Sequence, residues 1–96
     1  MPVSRREELV RVARKHVALI VSDDVYDFLH ISGATASTAA VPPPRIVDID
    51  RTLDGGLQDR FGNALSNGSF SKLVGPGCRV GWADGPGPLM YGLSQW

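Results

Sequence analysis

Five consecutive apolar residues, Val17-Ala-Leu-Ile-Val21, follow a helical pattern with hardly any link, and this junction constrains the fold more than any other feature. Leu9, Val12, Ala13 and His16 fall on one face at 3.6-residue spacing. Ser4 and Glu7 have the spacing of a capping box, and Arg14 and Lys15 suit the dipole at the far end, so the spacing predicts a helix over 4–16. The run that follows is apolar and β-branched, the pattern of a strand buried on both faces. Helix, short link and buried strand form the unit of an α/β fold. The strand runs into Asp23-Asp-Val-Tyr26, and ligands sit at the C-terminal ends of strands in open α/β sheets.

The rest of the chain reads more weakly. Residues 32–44 (SGATASTAAVPPP) are small and proline-ended, which predicts a mobile loop. Ile46-Val-Asp-Ile49 is expected as a short strand and Asp54-Gly-Gly56 as a turn. Ala64 to Phe70 and Arg79 to Ala83 are two further strand candidates. Only about eight residues join them, too few for a parallel crossover, so this pair is expected to be antiparallel. Pro88 to Trp96 (PLMYGLSQW) reads as the first turns of a helix.

Lys72 is one of two lysines in the chain and stands between a strand-like run and Gly75-Pro-Gly77. A lysine amine becomes nucleophilic when a neighbouring cation or desolvation lowers its pKa, and it can then form a Schiff base with an aldehyde. The glycine turn would bring Arg79 back toward Lys72. Arginine grips a phosphate through paired hydrogen bonds, and Ser69 and Ser71 add hydroxyls. An aldehyde that carries a phosphate is pyridoxal phosphate. That cofactor also needs a carboxylate at its ring nitrogen. Asp23 is the obvious supplier, with Tyr26 three residues on for the ring hydroxyl. Alternation along the strand sends Asp24 the other way.

Asp23-Asp-Val-Tyr26, Ser69-Phe-Ser-Lys72 and Pro76-Gly-Cys-Arg-Val-Gly-Trp82, in this order, resemble the core of the class I/II aminotransferases. These are pyridoxal-phosphate enzymes of fold type I, and the branch with 2-aminoadipate and aromatic aminotransferases is the most similar. The resemblance spans most of residues 1–96 and is weakest over 32–63. It implies a fragment of a three-layer α/β/α large domain with a mixed sheet, about three strands of seven. By the same resemblance Lys72 bonds the cofactor and shuttles the substrate proton, Asp23 and Tyr26 hold the ring, and Ser69, Ser71 and Arg79 hold the phosphate. The implied reaction moves an amino group from an amino acid to a 2-oxo acid, in a homodimer.

The family's Asn-Pro-Thr-Gly type motif, glycine-rich phosphate loop, ring-stacking aromatic and substrate-gripping arginine are not matched here, and both ends read as cut. One alternative is therefore a non-catalytic fragment that binds the cofactor or a partner. Another is serine acyl transfer through Ser69-x-x-Lys72, although Gly75-Pro-Gly77 would break the helix that motif opens. Ten basic and ten acidic residues cancel, which gives no reason to expect nucleic acid or an anionic membrane. The longest apolar run is five residues, no signal-peptide core is seen, and the single cysteine, Cys78, excludes an internal disulfide. A cytoplasmic location is expected. Asp48, Asp50 and Asp54 lack the glycine of a calcium loop and read as solvated turn acids. His16 and His30 lack partners at ligand spacing, so no metal site is expected; His16 is expected to pack or cap at the helix end.

Overall fold

The computed structural model describes residues 1–25, 43–72 and 74–96. Helix α1 spans Val3–Lys15, strand β1 Ile20–Asp23, helix α2 Ile46–Thr52, strand β2 Ala64–Ser69, strand β3 Gly81–Asp84 and helix α3 Gly87–Ser94. Tyr26, His30 and most of the predicted 32–44 loop lie outside the described residues. The strands form one mixed sheet in the order β1-β2-β3. β1 pairs parallel with β2, Asp23 opposite Asn67. β2 pairs antiparallel with β3, Ser69 opposite Gly81, as the short connection requires.

Helix α1 matches the predicted span but not the predicted cap. Its N-cap is Pro2, and Ser4 lies inside the first turn, so the expected capping box is not formed. Pro2 carbonyl accepts the amides of Arg5 and Arg6 instead. At the other end His16 is the C-cap residue, as expected. Val17 takes a left-handed φ of 52°. Its amide donates to Arg14 O, and Ala18 N–H donates to Ala13 O at 2.8 Å. These two bonds are those of a Schellman ending. That ending consumes 17–19 as the turn, which delays β1 to Ile20.

Ile46-Val-Asp-Ile49 is the first turn of α2, not a strand. The reason is Asp48, which reaches back to accept Arg45 N–H at 3.2 Å and so caps the helix start. Helical spacing then buries Val47, Ile49 and Asp50 together. α2 packs on β2, and α1 packs on α2. Val10, Ala13, Val47, Ile49, Ala64 and Leu65 form the core.

The junction of α1, α2 and β2 is polar at its centre. Asp50 is fully buried, which overturns its reading as a solvated turn acid. Arg14 donates to its carboxylate at 3.1 Å and also to the carbonyls of Asp50, Leu53 and Gly56. The second Asp50 oxygen accepts Asn63 N–H at 2.6 Å, and Asn63 Nδ2 donates to Ala18 O. Every strong polar group at this point is therefore partnered, which a buried charge requires.

The sheet has two unlike faces. Ser66 and Asp84 stand opposite each other on one face, and Asp84 accepts hydrogen bonds from Arg45 and Arg51, which flank and belong to α2. α2 therefore lies over that face. Of the residues of opposite parity, Val21, Asp23, Asn67 and Ala83 are exposed and Leu65 is buried. Val21 is 64% exposed, so among the described residues β1 is not the strand buried on both faces that its composition predicts.

Candidate functional site

The predicted site residues that are described sit at one end of this sheet. β2 ends at Ser69, and the chain continues into a 3-10 turn over Phe70–Lys72 that places Lys72 at its last position, exposed. A second 3-10 turn, Pro76–Cys78, follows and packs against the first. Gly75 enters it at φ 148°, a value that L side chains rarely adopt. Arg79 then takes a left-handed conformation, φ 50° and ψ 38°, before β3 begins. The glycine-proline turn thus returns the chain so that Ser69, Ser71, Arg79, Val80 and Gly81 line one open cleft of about 250 Å³.

The two serines are hydrogen-bonded to each other. Ser69 Oγ accepts Ser71 N–H at 3.0 Å and donates to Ser71 Oγ at 2.9 Å. Val80 O lies 3.4 Å from Ser69 Oγ as a second acceptor. Phe70 N–H donates to Val80 O at 3.0 Å, which continues the β2–β3 ladder past Ser69 and fixes the floor of the cleft. Beneath it Trp82 lies on Gly68: a Cβ at Gly68 would meet the indole at 2.3 Å. Phe70 closes on Trp82 edge-on, with centroids 4.9 Å apart. Glycine at 68 is thus what lets the ring support the strand end from the far face.

Asp23 reaches the same region along the sheet. It is one strand across and two residues back from Ser69, a Cα separation of about 8 Å at ordinary strand spacing and rise. Register and parity place Asp23, Asn67 and Ser69 on the sheet face opposite α2. Two hydroxyls and a guanidinium around one cleft suit a phosphate. A carboxylate on the same face and a lysine on the adjoining turn suit the ring nitrogen and aldehyde of the same molecule. Of the predicted set, Ser69, Ser71 and Arg79 line the cleft together, and these suit the phosphate of pyridoxal phosphate. Tyr26 lies outside the described residues.

Ser69 closes a strand and does not open an α-helix, so it lacks the setting of the serine in a Ser-x-x-Lys acyl-transfer site. Cys78 is exposed. Among the described residues no group of three His, Cys, Asp or Glu side chains is placed to hold a metal ion, and no helix is long and apolar enough to cross a membrane.

Residue-by-residue reading passed over Asn67 and set Asp24 aside without a role. Asn67 lies beside Asp23 on the open face, and two-residue spacing from Ser69 was the available signal. Asp24 turns the other way, as alternation predicts, but it is engaged: its carboxylate accepts from Ser22 Oγ at 2.6 Å and from Ser66 Oγ at 2.5 Å. No local pattern reveals that contact, because it depends on the β1–β2 register.

An uncharacterized protein of Saccharomyces cerevisiae is 44% identical over 79 residues, which is 82% of this chain and 18% of that protein. An uncharacterized HTH-type transcriptional regulator of Bacillus subtilis is 35% identical over 99% of this chain and 16% of its own length. The bovine mitochondrial kynurenine/alpha-aminoadipate aminotransferase is 29% identical over 94% of this chain and 17% of its own. Other aminotransferases match at 29% to 33% identity. The chain spans less than a fifth of the length of these curated relatives. No protein-family model matches it, and no solved structure does.

Proposed function

We propose that this chain is part of the three-layer large domain of a fold type I aminotransferase, in which it builds the pyridoxal-phosphate site. The observation that carries this reading is the convergence of Ser69, Ser71 and Arg79 on one cleft beside the turn that bears Lys72. Similarity to several aminotransferases over most of the chain supports it.

The roles follow from the chemistry of each group. Arg79 would bind two phosphate oxygens through its guanidinium while the Ser71 hydroxyl donates to the third, joined by Ser69 once its hydroxyl turns away from Ser71 Oγ. Asp23 would accept a hydrogen bond from the protonated ring nitrogen and keep the proton there. Tyr26 would donate to the ring hydroxyl oxygen. Lys72 Nζ would condense with the cofactor's aldehyde at rest, the aldehyde oxygen leaving as water, and once displaced by the substrate's amine would take a proton from the substrate carbon and return it. When bound, the cofactor supplies an aldehyde and a protonated ring that draws electrons from the substrate. Substrates would be an amino acid and a 2-oxo acid, with the 2-aminoadipate and aromatic branch favoured by the kynurenine/alpha-aminoadipate aminotransferase similarity. The working protein would be a cytoplasmic homodimer.

A second reading is favoured by the similarity to the HTH-type regulator. There the same cleft would bind the cofactor without turning over a substrate. Amino-group transfer assayed on the loaded protein separates the two.

The phosphate cradle is tested by comparing pyridoxal phosphate with pyridoxal. The full chain should bind the phosphorylated form more tightly, and Arg79→Ala should remove most of that preference, on the order of tenfold or more. Equal affinity of the unaltered chain for both compounds would overturn the reading.

A further inference from the structure

We infer that Asp24 is a positioning residue: by bridging Ser22 and Ser66 it sets the position of Asp23 against the cofactor ring. The inference rests on the proposed cofactor site. It concerns a carboxylate that the site itself does not use.

Asp23 is the last residue of a four-residue strand. A strand end frays unless something beyond it is tied down. Here the next residue is tied at three points. Asp24 N–H donates to Asn67 O at 2.8 Å and extends the parallel ladder by one bond past Asp23. One carboxylate oxygen accepts from Ser22 Oγ at 2.6 Å, on its own strand. The other accepts from Ser66 Oγ at 2.5 Å, across on β2. Ser66 is 1% exposed and stands in register with Ser22. One carboxylate thus clasps both strands, on the face opposite Asp23, at the level where Asp23 is presented.

The chemistry favours a carboxylate here. Two hydroxyl donors need two acceptors, and only an ionised acid offers both oxygens without a competing donor. Hydrogen bonds to a charged acceptor are short and about twice as strong as neutral ones. Asparagine keeps the shape but faces one serine with an N–H group, so that serine must turn to accept. Alanine removes both bonds and leaves the buried Ser66 hydroxyl without this partner.

An analogue lacking the ring nitrogen distinguishes positioning of Asp23 from general loosening. The probes are pyridoxal phosphate and its carbocyclic counterpart, a phosphorylated hydroxybenzaldehyde with carbon in place of that nitrogen. Affinities of the full-length chain are measured by fluorescence titration, beside circular dichroism of each variant. The unaltered chain should prefer pyridoxal phosphate, and Asp23→Asn should abolish the preference. Asp24→Ala should reduce that preference about tenfold and spare affinity for the analogue. Asp24→Asn should fall between, and it serves if the alanine variant does not fold. Equal losses for both probes in the Asp24 variants, or no loss for either, would overturn the inference. An unaltered chain that binds neither probe would overturn the cofactor reading, and this inference with it. A chain in which Asp23→Asn changes nothing would remove Asp23 from the ring nitrogen and refute both assignments.

Discussion

At the scale of single residues, carboxylates of one type take unlike tasks according to their neighbours. Asp23 is exposed on the open face, Asp24 clasps two serines, Asp50 is buried on Arg14, and Asp84 sits between two guanidiniums. Arg51 hydrogen-bonds Asp84 at 2.6 Å and is the main cause of a pKa held below its ordinary value of 3.8; Arg45 adds to it, and partial burial opposes both. A carboxylate with a depressed folded pKa stabilises the fold fully above its unfolded value and loses that contribution as pH falls through the folded one. The thermal midpoint should therefore fall as pH drops from about 5 toward 3, and Asp84→Asn should lower it at pH 7 and flatten that acid limb. Unfolding scans across the pH series check this, and an unchanged slope would contradict it. Asp54, paired with Arg11 and also held low, adds in the same direction.

Elements were legible where their signal is local. The spacing of Leu9, Val12 and Ala13 gave α1, and the short connection between β2 and β3 gave their antiparallel pairing. Ile46-Val-Asp-Ile49 misled because a four-residue apolar run fits strand and helix alike. What decides it is Asp48 at the helix start and Asp50 four residues beyond Ile46, aimed at Arg14. That ion pair joins α1 to α2, and Asp50 reaches the start of β2 through Asn63; no sequence spacing betrays partners 36 residues apart. Asp50→Ala should leave Arg14 buried without its counter-charge and Asn63 N–H without an acceptor. The expected cost is about 3–5 kcal/mol, enough to unfold a domain of ordinary stability. Denaturant unfolding checks it; a loss below about 1 kcal/mol would mean that the three carbonyls alone satisfy Arg14.

For the whole molecule, the division into a helix-covered and an open sheet face organises everything else. The covered face holds Ala64, Ser66 and the ion pairs of Asp84, while the opposite face carries Asp23, Asn67 and Ser69 at the end where Ser69, Ser71 and Arg79 line the cleft. Motif order along the chain revealed these residue types, because strand ends and tight turns carry them in short segments. The way they meet was not legible, since it needs the β1–β2 register and the left-handed turn at Arg79. The central claim is that Lys72 carries the cofactor, and reductive trapping tests it most directly. The full chain is incubated with pyridoxal phosphate, reduced with borohydride, digested and mapped by mass. The account predicts the pyridoxyl mass on Lys72 in large excess over Lys15, the other lysine, at the exposed end of α1. Equal labelling of the two lysines, or none at Lys72, would contradict it.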